Sequence, residues 1–186
     1  MLDNKERTLL IFKPDALKRG LVGEIISRLE RTGLKLICIE QRRPSPELLE
    51  QHYADDPIWI ENLGEKTKEF FTGQNLGREA DSMFKVRFGT SETFELGKII
   101  RRLLIDFMLE GDVIVSIWEG SLAVSVMRKV VGNTVPVNAA PGTIRGDLSN
   151  SSPLQLLLDG RCIENLVHAS GTREEADREI ALWFKE

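Results

Sequence analysis

The run Asp112-Val-Ile-Val-Ser-Ile-Trp118 carries the strongest strand signal in the chain. Val and Ile fill both alternating sets of positions, so both faces would be covered and the strand belongs in the middle of a sheet. Upstream, Leu96, Ile99, Ile100, Leu103, Phe107 and Met108 recur at helical spacing and stop at Gly111. Downstream, Ser121 is placed to cap a helix with the stripe Ala123, Val126, Met127 and Val130, ended by Gly132. Near the start, Thr8-Leu-Leu-Ile-Phe-Lys13 is an apolar run that stops at Pro14, a buried strand with Lys13 at its carboxyl tip. Val22, Ile25, Ile26 and Leu29 then form an amphipathic helix with Gly33 at its end, and Leu34-Lys-Leu-Ile-Cys-Ile39 is a second strand. Ser45 and Pro46 open a short helix that reaches Tyr53. At the far end, Cys162 to Val167 reads as a last strand ending at His168. Thr172-Arg-Glu-Glu175 is a capping box before a helix that turns Ala176, Ile180, Trp183 and Phe184 inward.

Two stretches resist this reading. From Asp55 to about Thr93, Ile58-Trp-Ile60 and Phe70-Phe71 are apolar, but Gly64, Gly73, Gly77 and Gly89 interrupt any period. Asn133 to Gly160 has almost no regular period, and loops of that length are usually functional. The order of the remaining elements, β-α-β-(α)-β-α-β, gives an α/β (α+β) sandwich of the ferredoxin-like βαββαβ type. It has a four-stranded antiparallel sheet, helices packed on it, and an inserted helical segment.

Composition narrows the function. With 25 Lys and Arg against 29 Asp and Glu, the net charge of −4 argues against nucleic acid or an anionic lipid surface as partner. Apolar runs such as Leu103 to Ile105 are far too short to span a bilayer. Met1-Leu-Asp-Asn-Lys5 is neither a signal nor a transit peptide, so a cytoplasmic protein is expected. Two cysteines without a CxxC exclude a disulfide framework and a Cys-based zinc site. Two histidines, His52 and His168, weigh against chemistry needing a His pair or His-rich metal ligation.

His168 is the leading candidate for chemistry. Asn165 precedes it, and Ser170-Gly171-Thr172 leads into a helix N-terminus that favours anions. Glu179, alone a solvated helix charge, could turn toward the sheet, fix the tautomer of His168 and raise its nucleophilicity. In Pro141-Gly-Thr-Ile-Arg-Gly-Asp147, Arg145 sits in a glycine-rich loop suited to phosphate oxygens. Arg128 and Lys129 complement the end of their helix; with Lys13 they could instead form one cationic nest for a polyphosphate. His52 reads as structural, and Tyr53 beside it is the only tyrosine. No P-loop motif and no protein-kinase motif set is present. No carboxylate cluster has metal spacing, so Mg²⁺ would be held mainly by substrate phosphates and water.

These residues together resemble the nucleoside diphosphate kinase family. The matching segments are Glu6-Arg-Thr-Leu-Leu-Ile-Phe-Lys-Pro-Asp15, Arg19-Gly-Leu-Val-Gly-Glu-Ile-Ile26, Gln51-His-Tyr53 and Trp118-Glu-Gly120. They continue in order through Arg128 to Thr134, Pro141 to Asp147, Asn165-Leu-Val-His168 and Glu179-Ile-Ala-Leu-Trp-Phe184. The resemblance implies a single domain over 1–186, with insertions at approximately 58–110 and 148–160. It implies ping-pong transfer of the γ-phosphate of a nucleoside triphosphate, typically ATP, to a nucleoside diphosphate through a phosphohistidine on His168, with Mg²⁺ as cofactor. It further implies that Lys13 and Asn165 contact sugar and transferring phosphate with Tyr53 close by. Arg128 and Thr134 would hold the inner phosphates and Arg145 the terminal one. Glu179 would orient His168, and Ser170 would support Glu179. Trp59 or Ile58 would stack on the base, with Cys162 on its other side. The family implies a homo-oligomer, a hexamer or a tetramer or dimer. The alternative is a catalytically silent nucleotide-binding scaffold or regulatory module of the same fold, which would have lost part of this residue set. His168-Ala-Ser-Gly-Thr172 replaces the family's His-Gly-Ser-Asp-Ser, a departure that keeps Ser170 and a Thr172 hydroxyl.

Overall fold

The computed structural model describes residues 5–185. In chain order the first elements are β1 (Lys5–Phe12), α1 (Pro14–Lys18), α2 (Val22–Glu30), β2 (Lys35–Arg42) and α3 (Pro46–His52). Then come α4 (Pro57–Gly73), α5 (Gly77–Phe88), α6 (Thr93–Leu109), β3 (Val113–Ser121) and α7 (Ala123–Val131). A 3₁₀ turn at Pro136–Asn138 precedes α8 (Ile144–Leu148), α9 (Leu154–Asp159), β4 (Val167–Ala169) and α10 (Arg173–Trp183).

The sheet order is β2-β3-β1-β4, every pair antiparallel, so β3 and β1 are interior as the Val/Ile pattern of β3 requires. Alternation along β1 divides the core. Leu10 and Phe12 face Ile25 and Leu29 of α2 and Met127 and Val131 of α7. Leu9 and Ile11 face Leu49 of α3, Ile105 and Met108 of α6 and Trp183 of α10. Helices therefore cover both faces of the sheet.

The stretch interrupted by glycines is helical. One of those glycines, Gly64, and Gly97 of α6 are where α4 and α6 cross: a Cβ on Gly64 would lie 2.0 Å from the Thr93 carbonyl oxygen, and one on Gly97 2.0 Å from that of Ile60. The backbones touch there, so glycine is required by the packing and does not end the helix. Gly97→Ala is expected to lower stability by about 2 kcal/mol or more, because overpacking outweighs the ~1 kcal/mol gain in helix propensity. In Gly23→Ala, where nothing lies within 4 Å, only the propensity gain remains and the sign reverses. Thermal melts of the two variants check this; a Gly97→Ala protein as stable as its parent would refute the close crossing.

The loop from Asn133 onward is also more ordered than its sequence suggests. Leu156 and Leu157 of α9 join Phe71, Ala80, Phe84, Leu96 and Ile100 in a third cluster, so the two stretches without a readable period pack on each other. Two boundaries need correction. Ser121 does not cap α7; it is the last residue of β3, paired with Lys5, and the chain turns at Leu122 with φ +52°. The N–H of Val124 is met instead by Glu6 Oε2 at 3.2 Å. The last strand is only Val167–Ala169, because Leu166 at φ +69° breaks the extended run from Cys162. That shift puts His168 inside β4 and not at its tip.

Candidate active site

The register of β4 explains where His168 points. Val167 and Ala169 pair with Phe12 and Leu10 and belong to the α2/α7 side of the core. His168 pairs with Ile11 and so faces the α3/α10 side, where Glu179 emerges from α10. The Nε2 atom lies 2.8 and 3.0 Å from the two carboxylate oxygens. Ser170 donates its hydroxyl to Oε2 at 2.6 Å. Burial alone would raise the Glu179 carboxyl, but the His168 ring with its hydrogen bond, His52 and the Ser170 hydroxyl outweigh it and hold it at about 2. An ionised carboxylate accepts from Nε2–H, which leaves the lone pair on Nδ1 of a ring that is 20 % exposed and lines the cleft.

The strained Leu166 backbone is fastened on both sides: its N–H is donated to Asp15 Oδ2 at 2.9 Å and its carbonyl accepts from the Lys13 N–H at 2.8 Å. A left-handed leucine costs about 1–2 kcal/mol, and it survives here because these bonds over-determine it. It orders the turn between Asn165 and His168. Lys13 Nζ donates to Asn165 Oδ1 at 2.8 Å, and Asn165 Nδ2 donates to the Thr134 carbonyl at 2.8 Å. Burial pushes the Lys13 ammonium below its usual pKa.

Arg145, 3 % exposed, is tied into the backbone. It donates to the carbonyls of Asn165 (3.1 Å), Gly132 (3.1 Å) and Val167 (2.6 Å). Burial and the neighbouring Arg128 cation lower its pKa to about 9, against the pull of Asp15. Arg128 reaches from the last turn of α7 to the Ala169 carbonyl at 3.4 Å, and Thr134 is exposed on the rim.

Lys13, Arg128, Thr134, Arg145, Asn165, His168 and Glu179 line one cleft of about 980 Å³, and so do Tyr53, Trp59 and Cys162; Ser170 is buried behind Glu179. Tyr53 stacks on Trp59 at 6.1 Å, and burial pushes its phenol pKa upward. Burial also raises the Cys162 thiol to about 12, so it is a neutral wall group. The cleft continues along Leu63 and Phe70 of α4 to Leu156 of α9.

One expectation changes. The helix N-terminus after Ser170 is filled from within, since Glu175 Oε2 accepts from the Gly171 N–H at 2.6 Å. Thr172 does cap that helix, accepting from Glu175 N at 3.1 Å. His52, read as structural, is buried, and its ring lies edge-on to His168 at 4.6 Å. Its spacing to His168 and Glu179 carries no sequence signal. These three side chains could surround a metal ion, with donor atoms within 4.8 Å of one another. Hydrogen bonds from Trp183 to His52 Nδ1 and from His168 and Ser170 to Glu179 would compete with such an ion.

A family model described as nucleoside diphosphate kinase matches residues 6–72 and 96–186. A relative of that name from Pyrobaculum aerophilum is 45 % identical over 181 residues, 97 % of this chain and 96 % of its own length. Another from Pyrococcus furiosus is 38 % identical over 185 residues, 99 % of this chain and 86 % of its own. Among solved structures, an NDP kinase from Pyrobaculum aerophilum superposes with a TM-score of 0.89 at 42 % identity, covering 98 % of this chain and 97 % of its own. A transition-state mimic of the Borrelia burgdorferi nucleoside-diphosphate kinase with bound vanadate and ADP gives 0.74 at 31 % identity, covering 98 % and 89 %.

Proposed function

This chain belongs to the nucleoside diphosphate kinase family and has its activity, transfer of a nucleoside triphosphate's γ-phosphoryl group to a nucleoside diphosphate; we propose that the group travels through a phosphohistidine on His168. The Nδ1 lone pair attacks the γ-phosphorus, the bond from that phosphorus to the β–γ bridging oxygen breaks, and the nucleoside diphosphate leaves with the electron pair. In the return step a terminal oxygen of the acceptor diphosphate attacks the same phosphorus and the P–N bond breaks back onto Nδ1. The His168–Glu179 hydrogen bond carries this reading, because it assigns the proton to Nε2 and stabilises the ring as charge develops.

In-line transfer of this kind depends on positioning and positive charge. Lys13 and Asn165, already joined to each other, would meet the transferring group, with the neutral Tyr53 phenol near them. Arg128 and Thr134 would hold inner phosphates. Arg145 keeps N–H groups beyond its three carbonyl bonds for the terminal phosphate. Trp59 and Cys162 would border the base. Carboxylates on the cleft wall near His168, Glu175 and Glu179, are committed to hydrogen bonds. That fits Mg²⁺ arriving as part of the nucleotide substrate, held by its phosphates.

We also propose a homo-oligomer. Among the described residues β2 pairs only with β3, and Ile37 and Ile39 lie about two-fifths exposed along this edge. Light scattering should give a multiple of 21.0 kDa; a monomer would refute the assembly. No helix of the described residues is long and apolar enough to cross a membrane; a cytoplasmic location is part of the same proposal. The central test is to incubate the protein with Mg²⁺ and γ-labelled ATP. An acid-labile, base-stable label on His168 that discharges onto added GDP is expected. A wild-type protein that acquires no label overturns the mechanism.

A further inference from the structure

We propose that His52 is a positioning residue for this transfer: wedged against Trp183 and Glu179 and edge-on to His168, it holds the carboxylate and the nucleophilic ring in register. The inference rests on His168 being the nucleophile.

The geometry is specific. His52 ends α3, while Glu179 and Trp183 stand one turn apart on α10. The Nδ1 atom of His52 accepts the Trp183 indole N–H at 3.3 Å and lies 3.4 Å from Glu179 Oε1, the oxygen nearest His168 Nε2. Its ring also meets Tyr53 edge-on at 4.6 Å. One imidazole thus touches the nucleophile, its carboxylate partner and the cleft tyrosine.

An accepting Nδ1 puts the proton of His52 on Nε2, and that nitrogen is buried without a partner. A buried orphan donor is destabilising, and toleration of one beside reacting groups is the mark of a site shaped for function. The charge state follows from the same surroundings. Burial, foremost, and the His168 ring lower the His52 pKa to about 3; Glu179 opposes this, and Arg178 and Lys13 add to it. The Tyr53 phenol on its own helix end is neutral. His52 is therefore held neutral near pH 7. A cationic His52 would compete for Glu179 Oε1 and repel the imidazolium that forms on His168. With two histidines around one carboxylate, only the one lining β4 gains charge during transfer.

The test uses single-turnover labelling by γ-labelled ATP. His52→Phe keeps a ring but removes the Nδ1 acceptor; it should slow phosphoenzyme formation at saturating ATP about tenfold or more, with the half-saturating ATP concentration within twofold of wild type. His52→Asn, whose side-chain amide can stand in for Nδ1, should recover to within about threefold. A wild-type rate in His52→Phe, or a His52→Asn protein as slow as His52→Phe, overturns the proposal. Label mapping to a residue other than His168 in the wild type would overturn the nucleophile assignment as well, so the two failures are told apart. Should His52→Phe fail to fold, long-range ¹H–¹⁵N spectra of the wild type decide. A neutral, Nε2-protonated His52 that does not titrate between pH 5 and 8 supports the proposal; a titrating or Nδ1-protonated ring refutes it.

Discussion

His168→Asn is expected to take up no phosphoryl group from ATP and to lose at least about four orders of magnitude in transfer rate. The size follows from the chemistry: with the nucleophile gone, the remaining cations can still bind nucleotide but have no atom to receive the phosphorus. The fold should survive. The backbone of residue 168 keeps its pairing with Ile11, and Glu179 keeps the Ser170 hydroxyl. An asparagine amide can also donate to the carboxylate. Glu179→Gln separates orientation from nucleophilicity. It leaves Nδ1 in place but loses the anion that stabilises the imidazolium, so labelling should persist at a rate about 10–100-fold lower. Nucleotide transfer at the parental rate in His168→Asn would remove His168 from the reaction.

Arg145→Met should damage the protein even without nucleotide. Three carbonyls lose their donor, those of Asn165 and Val167 buried and that of Gly132 part-buried, each costing about 1 kcal/mol, so a loss of roughly 3 kcal/mol is expected. For a chain of this size that lowers Tm by about 6–12 °C. Arg145→Lys keeps the charge, but one ammonium cannot reproduce a planar fork spanning the end of α7, the turn at Asn165 and β4. It should therefore melt between the parent and Arg145→Met. An arginine that served the substrate alone would leave the ligand-free Tm unchanged. Calorimetry without nucleotide distinguishes these outcomes, and a Tm within about 1 °C of the parent would refute the structural role.

What the sequence disclosed depended on how local the cause was. Val113–Ser121 was readable because an interior strand must be apolar on both faces, and α6 because one helical stripe meets the core. Ser45 and Thr172 cap helices as their positions imply, each accepting from the N–H three residues on. Helices α4 and α5 were obscured because Gly64 answers to a crossing with α6, and because Met83 and Val86 face outward beside the buried Ala80 and Phe84. The short β4 follows from a left-handed Leu166, which no residue type signals. In the site, His168, Glu179 and the loop arginine were legible as chemistry. The bond joining Lys13 to Asn165 was not, since it closes across the whole chain. The nearness of His52, a residue read as structural and found buried, to Glu179 was hidden for the same reason: only the fold brings the two together.

The docking of α9 against α5 and α6 bears on the entropy of nucleotide binding. Gly132, Arg145 and Asn165 belong to a long connection that, left free, would have to be immobilised each time a phosphate chain entered. Leu156 and Leu157 anchor its middle in the third cluster, Arg87 holds the Leu158 carbonyl, and Arg145 knots it to the sheet. Ordering of that backbone is completed on folding, so binding is left with side-chain adjustments. The packing of α9 would thus make the proposed phosphate site a preformed surface, one that loses little conformational freedom each time a nucleotide enters.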